Sequence, residues 1–94
     1  MPTYVVLYTF TEQGLKGIKD TVHRANDVRA DLEKRGFKVP GIYWTQGRYD
    51  LVAIIEAPDE NAMLKGSVNV AGAGNVKSET LRAFTESEMK KALA

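Results

Sequence analysis

His23 and Asp50 are the residues whose chemistry has to be weighed first. An acid or base working near neutral pH needs a group poised near 7, and His23 is the single histidine and the one side chain whose ordinary pKa lies there. Asp50 follows Tyr49 in the run Gly47-Arg48-Tyr49-Asp50, a poor composition for the mouth of a strand. Its carboxylate either fixes the hairpin, through bonds to backbone or to Arg48, or points into a cleft as a ligand-binding or acid/base group whose pKa burial would raise. Tyr43, Thr45, Tyr49 and Arg48 surround it in sequence with phenols, a hydroxyl and a guanidinium, the groups that recognise a polar or anionic small molecule. No catalytic residue can be named from these types alone.

Other chemistry is closed off by composition. The chain has no cysteine, which removes disulfides, thiolate metal sites, iron–sulfur clusters and a cysteine nucleophile. One histidine rules out a multi-histidine metal centre, so no metal is expected. Gly72-Ala73-Gly74 lacks both the preceding strand and the third glycine of a dinucleotide fingerprint, and no cofactor is expected. Thirteen basic and twelve acidic residues give a net charge of +1 with the signs intermixed, so no nucleic-acid surface is advertised. No apolar run approaches the roughly 18 residues a spanning helix needs, and Met1-Pro2-Thr3-Tyr4 lacks a basic leader, so no membrane contact and a cytoplasmic, soluble protein are expected.

The elements that must position these groups follow from patterning. At 94 residues one domain, 1–94, is expected. Residues 3–10 are β-branched and aromatic and read as a strand. Thr11 is an N-cap candidate. Leu15, Ile18, Val22, Ala25 and Leu32 then recur at helical spacing to about Arg35, with Gly14 and Gly17 weakening the first turns and Asp20-Thr21 offering a second start. On this helix His23 falls roughly 140° from the apolar stripe, beside Lys19, Asn26 and Asp27, a solvated position unless the helix breaks.

Residues 37–46 form a second strand in which Pro40 marks either an edge position or an irregular first half. Gly47-Arg48 reads as a two-residue type II′ hairpin pairing Trp44 with Leu51 and Ile42 with Ala53. Asp59 opens a second helix, ended by Gly72-Ala73-Gly74. Residues 76–84 fit an edge strand with a bulge, and Thr85-Glu86-Ser87-Glu88 is a capping box starting a short C-terminal helix. The order β-α-β-β-α-β predicts an α+β, ferredoxin-like fold: a four-stranded antiparallel sheet with two helices on one face. The other face, about 440 Å² in projection, is left for a second copy in a homodimer or larger homo-oligomer. The same order serves RNA-binding modules, but the third strand carries one aromatic and an acid where base stacking needs an aromatic pair.

The run Gly41-Ile42-Tyr43-Trp44-Thr45-Gln46-Gly47-Arg48-Tyr49-Asp50-Leu51-Val52, with Gly47, Tyr49 and Asp50 forming a Gly-x-Tyr-Asp signature, resembles the GYD domain family of small bacterial and archaeal proteins. The likeness extends to residues 4–14 and 74–84. It implies the ferredoxin-like fold of dimeric α/β-barrel proteins and carries over no settled activity. Gly66, Ser67, Asn69 and Val70 depart from the Ala/Leu-rich helix of relatives, which bears on how the second helix packs.

Two functional classes follow: an oligomeric small-ligand-binding or assembly module, and a cofactor-independent enzyme of the dimeric α/β-barrel kind using Asp50 and His23. RNA binding is a distant third. Any ligand site is expected between the sheet and the first helix near Tyr49-Asp50. Tyr43, Thr45 and Asp50 would converge there, with Tyr49 sharing the opposite face with Trp44, which is expected to be structural.

Overall fold

The computed structural model describes all 94 residues. The chain runs β1 (Thr3–Phe10), α1 (Glu12–Lys16), a 3-10 turn (Ile18–Asp20), α2 (Thr21–Lys34), β2 (Lys38–Trp44), β3 (Leu51–Glu56), α3 (Glu60–Ala73), β4 (Val76–Ala83) and α4 (Glu86–Leu93). Its strands form one antiparallel sheet in the order β2-β3-β1-β4. This is the ferredoxin-like α+β arrangement.

The helix starts are set by side chains that take up free backbone amides. Thr11 accepts from the Gly14 N–H, Asp59 accepts from the Ala62 N–H, and Thr85 and Glu88 close a reciprocal capping box. That box holds the Glu88 carboxyl below its ordinary pKa, chiefly through the hydrogen bond from the Thr85 backbone. The first helical segment does break, with Gly17 leading into the 3-10 turn before α2 restarts at Thr21. The break puts the expected apolar stripe out of phase. Leu32 is buried and Ala25 half-buried, whereas Leu15, Ile18 and Val22 are exposed.

Strand pairing sorts the side chains into two faces. Tyr4, Val6 and Tyr8 of β1 and Leu51, Ala53 and Ile55 of β3 face the helices, where they meet Leu32, Phe37, Val39 and Met63 in the core. On the open face the rows run Tyr43-Val52-Leu7-Glu79 and Gly41-Ile54-Val5-Leu81. The centre of that face is therefore apolar, with Lys38, Glu56, Lys77 and Glu79 at its margins.

The register of β2 with β3 has Trp44 opposite Leu51 and Ile42 opposite Ala53, as the sequence predicts. The tight two-residue turn is not formed. The ladder ends at Trp44 and Leu51, and residues 45–50 make a wider loop, closed by the Thr45 N–H on the Asp50 carbonyl at 2.9 Å and by the Thr45 hydroxyl on the Tyr49 carbonyl at 2.6 Å. Gly47, with φ +103°, still supplies the left-handed position the loop needs. Strand β2 is both an edge strand and irregular between Lys38 and Gly41 around Pro40, whereas β4, where a bulge is expected, pairs with β1 without interruption.

Helix α2 packs on β2 and α3 on β4. They leave between them a cavity of about 540 Å³ over the middle of the sheet. Helix α4 stands off the body, with Phe84, Met89 and Leu93 exposed, and the chain measures 49 × 30 × 18 Å.

Candidate binding site

The loop of residues 45–50 does not build the site expected of it. Asp50 is tied to β1 on both sides: its N–H donates to the Tyr8 carbonyl, and its Oδ2 accepts from the Phe10 N–H, each at 2.9 Å. The pairing of β1 with β3 ends at Tyr8 and Leu51, so the carboxylate stands in for the carbonyl that a longer β3 would have offered Phe10. Thr45 donates its hydroxyl within the loop.

Tyr43 lies on the open face with its ring folded over Gly41, so close that a Cβ on Gly41 would sit 2.6 Å from it. A carboxylate, a hydroxyl and a phenol therefore do not converge beneath the first helix. The cause is the face assignment: Tyr43 pairs with Val52, on the side of the sheet away from both helices.

Tyr49 departs from strand alternation. Having left the ladder, it does not share the helix face with Trp44; its phenol donates to Glu79 Oε2 at 2.6 Å, on the open-face row of β4. That hydrogen bond is the main reason its pKa is raised above 10, with the Arg48 guanidinium, 5.7 Å from the ring centre, working the other way. Trp44 is 42% exposed and is not a core residue. Its indole N–H donates to the Thr21 hydroxyl at 3.0 Å, pinning the start of α2 to the end of β2.

His23 is on the surface of α2, where its Nε2 lies 3.3 Å from Asp27. It and Asp50 are not brought together. Arg82 stacks 4.4 Å over the Phe84 ring and pairs with Glu88 at 3.8 Å, linking β4 to α4.

Two surfaces remain that can bind something. The first is the open sheet face, where Val5, Leu7, Val52 and Ile54 are half-buried and Tyr43 and Leu81 exposed, framed by the Tyr49–Glu79 pair. The second is the cavity between α2 and α3, floored by Tyr8, Leu51 and Ala53 and walled by Val28, Leu32 and Val70. In the sequence most of these residues read as apolar positions of their strands and helices. The usable signal is parity: Tyr8 lies two residues beyond Val6 on the helix-facing side of a central strand.

A stitch between distant segments closes one end of the cavity. Thr11 donates its N–H to the Asn75 carbonyl and its hydroxyl to the Gly74 carbonyl, and the Gln13 amide donates to the Ala73 carbonyl and Asn75 Oδ1. Gly14 belongs to the same contact, since a side chain there would run into the Asn75 carbonyl oxygen.

A sequence profile of the GYD domain family matches residues 4–93. A protein of Thermus thermophilus, named glutamine synthetase and cystathionine beta-lyase binding protein, is 32% identical over 90 residues, covering 95% of each chain. The family match runs from Tyr4 in β1 to Leu93 at the end of α4; this chain belongs to the GYD domain family.

Proposed function

We propose that the protein is a single-domain, non-catalytic binding module that pairs with copies of itself through the open sheet face and, so assembled, holds a metabolic enzyme. One observation carries the self-association. The chain exposes 6444 Å², about 1,000 Å² more than the roughly 5,400 Å² expected of a folded monomer of this size. The projecting α4 and the cavity contribute to that excess along with the open face, and a standard interface takes roughly 800 Å² from each partner. The apolar rows through Val5, Leu7, Val52 and Ile54 supply the centre of the contact, and Tyr43 and the Tyr49–Glu79 pair with Arg48 supply its polar rim. Asp50 and Thr45 hold the loop that presents Tyr49.

The choice of an enzyme as partner rests on the name of the Thermus relative, which binds glutamine synthetase and cystathionine beta-lyase. A metabolic enzyme as partner supports a cytoplasmic location. The turnover reading loses its footing because His23 and Asp50 are held apart by their own partners, Asp27 and Phe10.

Light scattering after gel filtration at micromolar concentration is expected to give a dimer or larger species. Ile54→Lys, which puts a charge in the centre of the open face, is expected to give a monomer. A wild-type monomer would sink the self-association. Purified glutamine synthetase and cystathionine beta-lyase of the same organism, titrated in turn against the immobilised protein, test the partner; no response from either would refute it.

A further inference from the structure

We propose that the cavity between α2 and α3 is a binding site for an amphipathic small anion, a medium-chain carboxylic acid in its simplest form, with the apolar chain in the cavity and the carboxylate at Arg24 and the Tyr8 hydroxyl. The site lies on the side of the sheet opposite the self-association face, so it stands apart from that reading.

Packed interiors tolerate few voids larger than a water molecule. A space of about 540 Å³ falls instead in the range of small-molecule pockets. Its existence follows from the sequence of its walls. Ala53 is the smallest residue of the central β3 row, and Gly66 on α3 leaves Leu32 Cδ2 and Phe37 Cζ each 3.8 Å from where a Cβ would be. Both positions withhold the side chains that would fill the gap.

The lining is mainly apolar, and its polar groups favour negative charge. Arg24 and Arg29 both line the cavity and neither pairs with a carboxylate. Four cationic side chains line it, Arg24, Arg29, Arg35 and Lys65, against two acids, Asp27 and Asp31, of which Asp31 pairs with Arg35 at 3.2 Å. The Arg24 guanidinium is held in place by the Gly17 carbonyl at 2.9 Å and the Gly14 carbonyl at 3.3 Å, which leaves N–H donors free on a fixed group.

Tyr8 sits at the same end, in the row of Leu51 and Trp44, and Trp44 bonds Thr21 one turn before Arg24. Tyr8 lines the cavity, and its hydroxyl is engaged in no hydrogen bond within the chain. Burial pushes its pKa up to about 12, so at neutral pH it is a phenol able to donate to an anion.

Calorimetric titration of the assembled protein with decanoate and with its neutral counterpart decanol tests the proposal, with Trp44 fluorescence followed in parallel. Decanoate is expected to bind one per chain with a Kd below about 1 mM, and decanol about tenfold more weakly, because the charge-assisted bonds are missing. Tyr8→Phe and Arg24→Gln are each expected to bring decanoate toward decanol's affinity while leaving decanol unchanged. Ala53→Leu is expected to abolish both, with its thermal midpoint and circular dichroism recorded to show that the variant is folded. Three results would overturn the proposal: no decanoate binding to the wild type, equal affinity for acid and alcohol, or undiminished binding to Ala53→Leu. The oligomer size recorded in the same samples separates failure here from failure of the self-association reading.

Discussion

Removing the Asp50 carboxylate tests whether the signature acid is a clamp or a ligand group. Asp50 joins three segments: its N–H to Tyr8, its Oδ2 to the Phe10 N–H and its carbonyl to the Thr45 N–H, each at 2.9 Å. Only the Oδ2 bond depends on the side chain. Asp50→Ala deletes a charge-assisted bond and leaves the half-buried Phe10 amide without an acceptor, which costs about 1–3 kcal/mol. Asp50→Asn keeps an acceptor of the same reach and loses only the charge assistance, about half as much. For a domain of this length each kcal/mol moves the thermal midpoint by about 4–8 °C, so Asp50→Ala is expected to melt roughly 10 °C early and Asp50→Asn roughly 5 °C early. Urea unfolding followed by Trp44 fluorescence and circular dichroism gives the magnitudes, and amide hydrogen exchange at Phe10 gives the cause. If Asp50→Ala melts with the wild type and the Phe10 amide stays protected, the clamp is not real and the carboxylate is free for a ligand.

Gly66→Ala is expected to stabilise the fold by about 1 kcal/mol in the same urea assay, because the new methyl meets Leu32 and Phe37 at an ordinary 3.8 Å and a glycine leaves a helix interior. Gly14→Ala is expected to destabilise by about 1–3 kcal/mol, since its methyl collides with the Asn75 carbonyl, a backbone atom with little room to move. Tyr8 predicts an alkaline loss of stability: the unfolded chain releases this proton near 10.0 and the folded one near 12, so stability is complete below pH 10 and falls by up to about 2–3 kcal/mol as the pH climbs to 12. Urea midpoints of wild type and Tyr8→Phe should therefore diverge over that interval, and parallel curves would show that the phenol is not desolvated.

What the sequence reveals here is mostly local. Thr11, Asp59 and the Thr85–Glu88 pair announce their helix starts because a cap needs only residues within one turn. The pairing of Trp44 with Leu51 follows from the spacing about Gly47. Pro40 marks an edge strand because it has no N–H to donate.

Groups whose partners lie far along the chain are not legible in this way. Asp50 bonds a backbone amide 40 residues away and Tyr49 a carboxylate 30 residues away. Alternation assigns Tyr49 to the wrong face because the ladder stops before reaching it. The cavity depends on how far apart two helices settle, which no periodicity within either helix encodes. Its two key polar groups, Tyr8 and Arg24, look ordinary in sequence for that reason.

The placement of β1 inside the sheet also constrains the way the molecule comes into being. Both neighbours of this first strand, β3 and β4, are drawn from residues 51–83, and the stitch from Thr11 and Gln13 waits for residues 73–75. A chain emerging from its amino end thus holds an apolar strand, a broken helix and an edge strand with no ladder joining them. Pairings of this sequence separation pay their loop-closure entropy before any reward, which slows the search. Folding is accordingly expected to be a single late event, with residues 1–46 remaining unstructured on their own and gaining order only when 47–94 is supplied, as a separate piece or as the rest of the chain.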